Sequence, residues 1–382
     1  MVMTEELPLS TTLPFQARIR KSPFFNAVRR HGCHSFGVYN RTYISMGFHD
    51  PETEYHDLLS NVVLWPVAGE RQIEIKGPQA LAFVQLLTPR DLSRCQVGQC
   101  KYVLITADDG GIVNDPVCLR IAQDTFWLSA ADSDLLLYAR GVNALAKMDV
   151  QIRDADVCAL QIQGPNSLSF MRSLAGDAIE ELRYYHLGEF NIAGTDLIVS
   201  RTGWSSEWGY ELYLRDPARG DHLFEHLLAA GEPFGLKLGA VSQIRRIEGG
   251  MLSYGADMDL GTNPYEVGLG RLMDLDKPHF IGKEALTHIA AQGPKRMLRG
   301  VSFEGGRLAG FIEPWTLRVA GEAVSQVTSL AYSPRLGRNI GLTIVANAHA
   351  QADTAVELMT PDGPRQGRIT GLPFIGRKTV KR

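Results

Sequence analysis

RQIEIKGPQALAFVQLL, at residues 71–87, joins a strand pattern to a helix pattern through a Gly-Pro turn. Polar and apolar residues alternate over residues 71–76, which predicts a half-buried β-strand. Gly77 and Pro78 end that strand, and the apolar residues of 80–87 then recur at helical spacing. Residues 157–174 repeat the order of strand, Gly-Pro and helix. The repetition indicates an α+β protein with two related halves.

Further patterns surround this unit. Alternating or continuous apolar runs predict strands at 100–106, 117–121, 125–129, 190–193, 196–201 and 210–214. Helical spacing predicts helices at 23–32, 52–59 and 238–252. Beyond Pro294, short apolar runs separated by Gly and Pro occur at 298–303, 315–319, 340–345 and 355–359. These runs predict a small separate β-barrel or sandwich of about 90 residues.

The composition is that of a soluble globular protein: 382 residues, 45% hydrophobic, 21% charged, with a net charge of −3. The weak net charge argues against a nucleic-acid partner. No run of about 18 apolar residues occurs, and residues 1–13 carry Glu5 and Glu6 where a signal peptide would be basic. We therefore expect a cytoplasmic protein without membrane contact. Five scattered cysteines favour reduced thiols used in packing.

The first candidate site is the turn GGIVNDP, residues 110–116. Two adjacent glycines allow a backbone path that is closed to other residues, so the turn can bring Asn114 and Asp115 against a ligand. The same residues are also common in ordinary turns. The segment therefore gains weight only from other motifs further along the chain.

The second candidate is RTGWSSEWGYEL, residues 201–212. Trp204 and Trp208 in an aromatic-rich turn would be costly if exposed without a ligand, and Glu211 follows at the start of a strand. The alternative is that both tryptophans pack in the core. Arg246 stands on the predicted helix 238–252, where it either forms an ion pair with a neighbour or grips a carboxylate as a fork.

No metal site is predicted. His222 and His226 fit the His-x-x-Glu-His pattern of one metalloprotease class, but Leu223, Phe224 and their neighbours form the apolar stripe of an amphipathic helix, and a third ligand is absent. Dinucleotide-binding glycine fingerprints and the Gly-x-Ser-x-Gly elbow of hydrolases are also absent.

Taken together, the motifs resemble the folate-binding aminomethyltransferase family, whose founding member is the T-protein of the glycine cleavage system. The resemblance runs over nearly the whole chain, with the pieces in family order. These pieces are Gly110–Asp115, Gln163–Pro165, Arg201–Trp204, Gly209–Glu211, Arg246–Glu248, Tyr254–Met258, Asn263–Leu269 and Phe280–Lys283.

Within the family, the chain is most similar to the dimethylsulfoniopropionate demethylase branch. The shared stretches are Val38–Asn40, Glu70–Gln72, Pro89–Asp91, Asn114–Val117 and Gly250–Gly255. Asn114 stands where the T-protein usually has an aspartate, as in the demethylases. Glu207 and Asn263-Pro264, in contrast, are closer to the T-protein pattern, so the resemblance leaves the substrate open.

The resemblance implies a three-domain cloverleaf around a central tetrahydrofolate cleft. Residues 1–290 would form the folate-binding region of two interleaved α+β subdomains, and residues 291–382 a C-terminal β-barrel. The cofactor site would comprise Tyr102, Asn114, Asp115, Glu211 and Arg246. Asp115, also the predicted catalytic residue, would lie beside the folate nitrogens, Glu211 would anchor the pterin, and Arg246 would meet the glutamate tail with Tyr102 alongside.

The implied reaction is methyl transfer from a small methylated donor to N5 of tetrahydrofolate, with a sulfonium compound as first choice. A sulfonium favours an aromatic cage, and the aromatic candidates for the substrate pocket are Tyr39, Trp65, Tyr185, Trp204, Trp208 and Tyr254. Three alternatives remain: an O-demethylase of a methoxylated aromatic acid, a glycine-cleavage aminomethyltransferase with a lipoyl-carrying partner, and a non-catalytic folate-binding protein. Whether Arg377 contacts folate and whether the chain is a homodimer also stay open.

Overall fold

The computed structural model describes residues 15–376; Arg377 lies outside them. The α-helices are α1 (Phe25–Arg30), α2 (Pro51–Ser60), α3 (Ala80–Leu87), α4 (Leu135–Ala146), α5 (Ser167–Ala175), α6 (Gly220–Gly231), α7 (Gln243–Glu248) and α8 (Lys283–Gln292). The first fifteen strands are β1 (Ser35–Tyr39), β2 (Thr42–Gly47), β3 (Val62–Pro66), β4 (Arg71–Lys76), β5 (Cys100–Tyr102), β6 (Ile105–Thr106), β7 (Ile112–Asn114), β8 (Val117–Ala122), β9 (Thr125–Ala130), β10 (Gln151–Asp154), β11 (Cys158–Gln163), β12 (Leu187–Ile192), β13 (Thr195–Ser200), β14 (Gly209–Leu214) and β15 (Leu236–Leu238). The last six are β16 (Arg296–Phe303), β17 (Trp315–Val319), β18 (Glu322–Ser333), β19 (Arg338–Ala346), β20 (Ala355–Thr360) and β21 (Gly363–Thr370).

Two sheets form the body of the molecule. The first has the order β10-β4-β9-β8-β5 and is antiparallel throughout. The second has the order β12-β13-β14-β11-β3-β15, in which only the β15–β3 pair is parallel. Strand β3 comes before the strands of the first sheet in the sequence but belongs to the second sheet. The two halves are therefore interleaved along the chain.

The predicted repeat of strand, turn and helix is confirmed in both halves. The turn follows β4 at Gly77, with φ 146°, and follows β11 at Gly164, with φ 115°, which are conformations that side chains rarely adopt. A Cβ atom at either glycine would lie 2.5 Å from a backbone carbonyl oxygen, that of Asp149 or of Asn61. Both turns therefore require glycine for backbone freedom and for space.

The two sheets face each other across a shared apolar cluster. Trp65 of β3 and Tyr213 of β14 come from the second sheet, and Trp127 of β9 comes from the first. The Trp127 and Tyr213 rings meet edge to face with centroids 6.1 Å apart. Helices cover the outer faces through separate clusters, such as the buried Phe83 of α3 and Phe224 of α6. The amphipathic interpretation of α6 is therefore confirmed.

The C-terminal part is a closed six-stranded barrel with the order β16-β19-β18-β17-β20-β21. The four predicted strands are present, and β18 and β21 add to them. Helix α8 ends at Gln292, so the predicted boundary at residue 290 falls in its last turn. Between residues 15 and 376, no helix is long and apolar enough to cross a membrane.

Helix α7 attaches the barrel to the body. The buried carboxylate of Glu248 accepts hydrogen bonds from Tyr55 of α2 (2.7 Å) and from Ser333 of β18 (2.6 Å), and it pairs with Arg335. Glu248 on α7 thus joins two other parts of the chain, α2 and the end of β18 in the barrel. A buried carboxylate so fully hydrogen-bonded holds the parts in one arrangement.

Two predicted elements are shorter than expected. The helix predicted at 238–252 is helical only over α7, because Ser242 caps its start by accepting a hydrogen bond from the Arg245 amide (3.3 Å) and Gly250, at φ 64°, lies beyond its end. The strand predicted at 100–106 is divided into β5 and β6, and the Val103 amide between them bonds to the Pro116 carbonyl.

Candidate functional site

A cavity of about 590 Å³ opens between the two sheets and the segment around α7. Its size is within the range of roughly 300–1,000 Å³ that is usual for small-molecule sites. Its wall is formed by five parts of the chain: the β1–β2 hairpin, the turn after β3, Asp115, the 201–204 turn and the 249–254 loop. The segments that carried the sequence motifs therefore meet at one place.

Asp115 follows β7 and lines the cavity. The Tyr102 hydroxyl donates a hydrogen bond to its Oδ2 atom at 2.9 Å. Burial raises the pKa of Asp115 from 3.8 to about 7, and the Tyr102 hydrogen bond opposes that rise. Asp115 can therefore exchange a proton near neutral pH, as an acid or a base in catalysis must.

Glu211 lies deep in the wall, on β14, opposite Gln161 of β11 and Ser200 of β13. Its carboxylate accepts hydrogen bonds from Gln161 (2.6 Å), Tyr213 (3.0 Å) and Thr202. Burial raises the pKa of Glu211, and these donors lower it by stabilising the charged form. The carboxylate is thus held in one orientation by the sheet itself.

Glu70 is a third carboxylate on the cavity wall and was not among the predicted site residues. It follows the turn after β3, and within the described residues its carboxylate accepts two long hydrogen bonds, from Ser129 (3.3 Å) and Gln161 (3.4 Å). Burial raises its pKa well above the usual range, and the nearby charges of Glu211 and Asp115 raise it further. The available signal was the stretch Glu70–Gln72 shared with the demethylase branch.

Five of the six predicted pocket aromatics line the cavity; these are Tyr39, Trp65, Tyr185, Trp204 and Tyr254. Trp204 is fixed by its Nε1–H donating to the Leu252 carbonyl at 3.2 Å, and Tyr254 by its hydroxyl donating to the Ile112 carbonyl at 3.2 Å. Trp208 does not line the cavity. The Arg201 guanidinium lies 3.6 Å from its ring centroid, so Trp208 makes a cation–π contact within the protein.

Asn114 is also not brought to the cavity. It is fully buried, and its amide donates to the Ser133 hydroxyl (2.7 Å) and to the Ala131 carbonyl (3.2 Å). Its side-chain oxygen accepts from the Ala131 amide. Asn114 therefore ties β7 to the segment after β9, and an aspartate there would meet a carbonyl oxygen.

Arg246, expected at the folate tail, is instead bound inside the protein. Its guanidinium pairs with Asp257 at 2.6 Å and donates to the Ser329 hydroxyl of β18 (2.7 Å) and to Gln243 (2.8 Å). It lies 5.5 Å from the Trp204 ring centroid. Arg246 thus backs a wall of the cavity and joins it to the barrel.

Arg271 was missed and does line the cavity. Its Nη1 atom donates to the Gly268 carbonyl at 3.3 Å. It lies on a short 3₁₀ turn, residues 270–272, whose sequence carries no periodic signal. The histidine pair of α6 plays no part here, since His222 bonds to the Ala193 carbonyl and Glu225 pairs with Arg30.

The hydrogen-bond acceptors of the cavity wall fit a flat heterocycle rich in N–H groups. Among the partners that residues 15–376 offer, Tyr102 alone donates a side-chain hydrogen bond to Asp115, which leaves lone pairs for a ligand. A carboxylate can accept two charge-assisted hydrogen bonds from adjacent N–H groups in one plane. Aromatic rings on the wall offer faces to a flat ring system. The reduced pterin of tetrahydrofolate has these properties. No group of three or more His, Cys, Asp or Glu side chains in residues 15–376 has the arrangement of a metal site.

Two family models match the chain. The GCVT N-terminal domain matches residues 33–277, and the glycine cleavage T-protein C-terminal barrel domain matches residues 298–375. The first covers the two sheets and the cavity. The second covers the barrel.

Similar proteins agree with these matches. The dimethylsulfoniopropionate demethylase DmdA of Ruegeria pomeroyi is 36% identical over 91% of this chain and 95% of its own length. An aminomethyltransferase of Streptomyces avermitilis is 33% identical over 85% and 89%. The crystal structure of the glycine cleavage system aminomethyltransferase T from Bartonella henselae superposes with a TM-score of 0.85 over 95% of this chain and all of that one, at 21% identity, which shows the same fold. The chain belongs to the glycine cleavage T-protein family of folate-dependent enzymes, which use tetrahydrofolate as cosubstrate.

Proposed function

We propose that this protein is a tetrahydrofolate-dependent demethylase that moves a methyl group from a small sulfonium donor to N5 of tetrahydrofolate and forms 5-methyltetrahydrofolate. Dimethylsulfoniopropionate is the first candidate donor, since a relative of that name is 36% identical over nearly the whole chain. The observation that carries the proposal is the character of the cavity, which combines aromatic rings with three carboxylates.

The charge of the cavity favours a cationic donor. Glu70, Asp115 and Glu211 line it, and Arg271 is the sole basic side chain that does so among residues 15–376. A cation such as a sulfonium is attracted both by carboxylates and by the faces of rings such as Trp65 and Tyr39. Among residues 15–376, the hydrogen-bond partners of the Glu70 carboxylate are Ser129 and Gln161, neither of which is basic, and a bound cation would favour its charged form. A neutral methyl ether would gain little from this arrangement.

We assign to Asp115 the role of the base that accepts the proton of N5. Tetrahydrofolate, when bound, supplies N5–H as the methyl acceptor, and the new N5–CH₃ bond forms as the S–CH₃ bond breaks. The sulfonium leaves as a neutral thioether with the electron pair of that bond, so no acid is needed for the leaving group. The proton of N5 must depart, and a carboxylate of pKa about 7 accepts it at neutral pH.

The protein also contributes to the reaction by positioning the reactants. Glu211 is held by its strand neighbours and fixes one end of the ligand, while Trp204 is held from behind by Arg246. Alignment of donor, methyl carbon and nitrogen supplies several kcal/mol of the roughly 7–11 kcal/mol available to well-oriented reactions.

The T-protein-like Glu207 does not weigh against this proposal. Its carboxylate is buried and pairs with the Arg245 Nε atom at 2.8 Å, away from the cavity wall. It is therefore a structural ion pair and carries no information about the donor. Aminomethyl transfer from a lipoyl-carrying partner is the second candidate, supported by the 33% identical aminomethyltransferase.

The test is anaerobic incubation of the purified protein with tetrahydrofolate and a panel of sulfonium, methoxy-aromatic and methylamine donors, with 5-methyltetrahydrofolate measured by chromatography and mass spectrometry. We expect product from a sulfonium. Asp115→Asn should lose most of the turnover, whereas Asp134→Asn, which changes an exposed carboxylate outside the cavity, should retain it. Product only from methoxy-aromatics, or 5,10-methylenetetrahydrofolate only with an aminomethyl-lipoyl partner, would overturn the proposal.

A further inference from the structure

The wall of the cavity has an uneven charge distribution. Three carboxylates lie along it, and Arg271 is the one cationic side chain that lines it within the described residues. Tetrahydrofolate is itself uneven, with N–H donors on its pterin end and carboxylates on its glutamate end. Each end of the ligand thus has a group of complementary charge on the wall.

Arg271 is well placed at the entrance. It lines the cavity and is exposed to solvent, whereas Glu211, also on the wall, is 5% exposed. The charge of Arg271 also lowers the pKa of Tyr102, opposing the effect of burial, so the guanidinium lies on the side of Tyr102 and Asp115. A ligand whose pterin reaches Glu211 past Asp115 would leave its tail towards this entrance.

The backbone around Arg271 is fixed by packing. Gly270 lies so close to the Tyr265 ring that a Cβ atom there would be 2.7 Å from it, and Leu269 and Leu272 are buried on either side. Within residues 15–376, the guanidinium makes one hydrogen bond, to the Gly268 carbonyl. The guanidinium therefore keeps donors that match the two oxygens of a carboxylate.

We infer that Arg271, rather than Arg246, binds a carboxylate of the glutamate tail of tetrahydrofolate. Arg246 is excluded because Asp257, Ser329 and Gln243 already occupy its guanidinium, and because it does not line the cavity. The inference rests on the proposed function only through the cosubstrate. The methyl donor does not enter it.

The test compares two ligands by anaerobic isothermal titration calorimetry: tetrahydrofolate, and tetrahydropteroate, which has the same ring system without the glutamate. Arg271→Gln should weaken tetrahydrofolate binding by roughly 3- to 10-fold, as expected for a charge-assisted contact near the surface. It should leave tetrahydropteroate binding unchanged. Arg271→Lys should recover part of the loss, and the wild-type preference for tetrahydrofolate should shrink at high salt.

Arg338→Gln serves as the matched control, since Arg338 is an exposed arginine of the barrel outside the cavity wall. An unchanged tetrahydrofolate affinity in Arg271→Gln, or an equal loss for both ligands, would overturn the inference. So would an Arg271→Gln variant whose only defect is a raised KM for carboxylated donors, because the arginine would then bind the donor. Calorimetry without donor can succeed whether or not a sulfonium proves to be the substrate.

Discussion

Replacing Asp115 with asparagine should change how stability depends on pH. Asp115 has a folded pKa of about 7 instead of 3.8, because burial disfavours its charged form. Between these values the folded state keeps a proton that the unfolded state releases, so the wild type loses stability as pH rises from about 4 to 7 and stays level above that. At 1.36 kcal/mol per pH unit the full loss is about 4 kcal/mol. Since Asp115 is partly open to the cavity, we expect about half of it.

The assay is urea unfolding of the wild type and Asp115→Asn from pH 4 to pH 9. Asparagine does not titrate, so the difference between the two proteins should grow by about 2 kcal/mol in favour of the variant up to pH 7 and then remain constant. Tyr102→Phe provides a second variant, because loss of its hydrogen bond to Asp115 should raise the pKa of Asp115 further and extend the change to higher pH. A difference that does not vary with pH would refute the reasoning.

Three other changes test separate parts of the structure. Glu70→Gln should lower kcat/KM for a sulfonium donor about 10-fold, the equivalent of about 1.4 kcal/mol of lost charge attraction, while leaving the melting temperature equal or higher; an unchanged kcat/KM would contradict its assigned role. Arg246→Met should lower the free energy of unfolding by about 3–5 kcal/mol because it leaves the buried Asp257 without its ion-pair partner, and adding Asp257→Asn should recover part of the loss. Weaker tetrahydrofolate binding at unchanged stability would instead indicate that Arg246 binds the ligand. Gly164→Ala should destabilise by about 3 kcal/mol or more in thermal unfolding because its Cβ would strike the Asn61 carbonyl, while Gly268→Ala, with φ 74° and open space around it, should cost only about 1 kcal/mol; equal effects would disprove the steric argument.

Local pattern predicted most of the elements, and it failed where a contact distant in sequence decides. The strand, turn and helix at 71–87 follow from alternation and from Gly77, whose conformation is a local property. The helix predicted at 238–252 was too long because apolar spacing continues past the Ser242 cap and the glycines after α7. Strand β21 was missed because its sequence, GPRQGRIT, has few of the residues that favour strands and is formed by pairing within the barrel.

The site divides in the same way. Asp115 and Glu211 stand out in sequence because each follows a glycine-rich turn at the beginning or end of a strand. Glu70 does not, since only the placement of β3 in the second sheet brings the turn after it next to Glu211. The sequence did not show that Arg246 is engaged inside the protein, because its partner Ser329 comes from the barrel, 83 residues further along the chain. Residue type indicated candidate residues, whereas tertiary contacts determine which arginine lines the cavity.

The position of β3 also constrains how the protein is made. This strand ends at Pro66, yet its neighbours β11 and β15 begin at Cys158 and Leu236. A ribosome adding roughly 5–20 residues per second needs several seconds to deliver β11 after β3 has emerged. During that interval Val62, Val63 and Leu64, all fully buried in the finished protein, have no sheet to join. The early nascent chain therefore presents an unpaired apolar strand, which makes it a natural client for chaperones that bind such segments during synthesis.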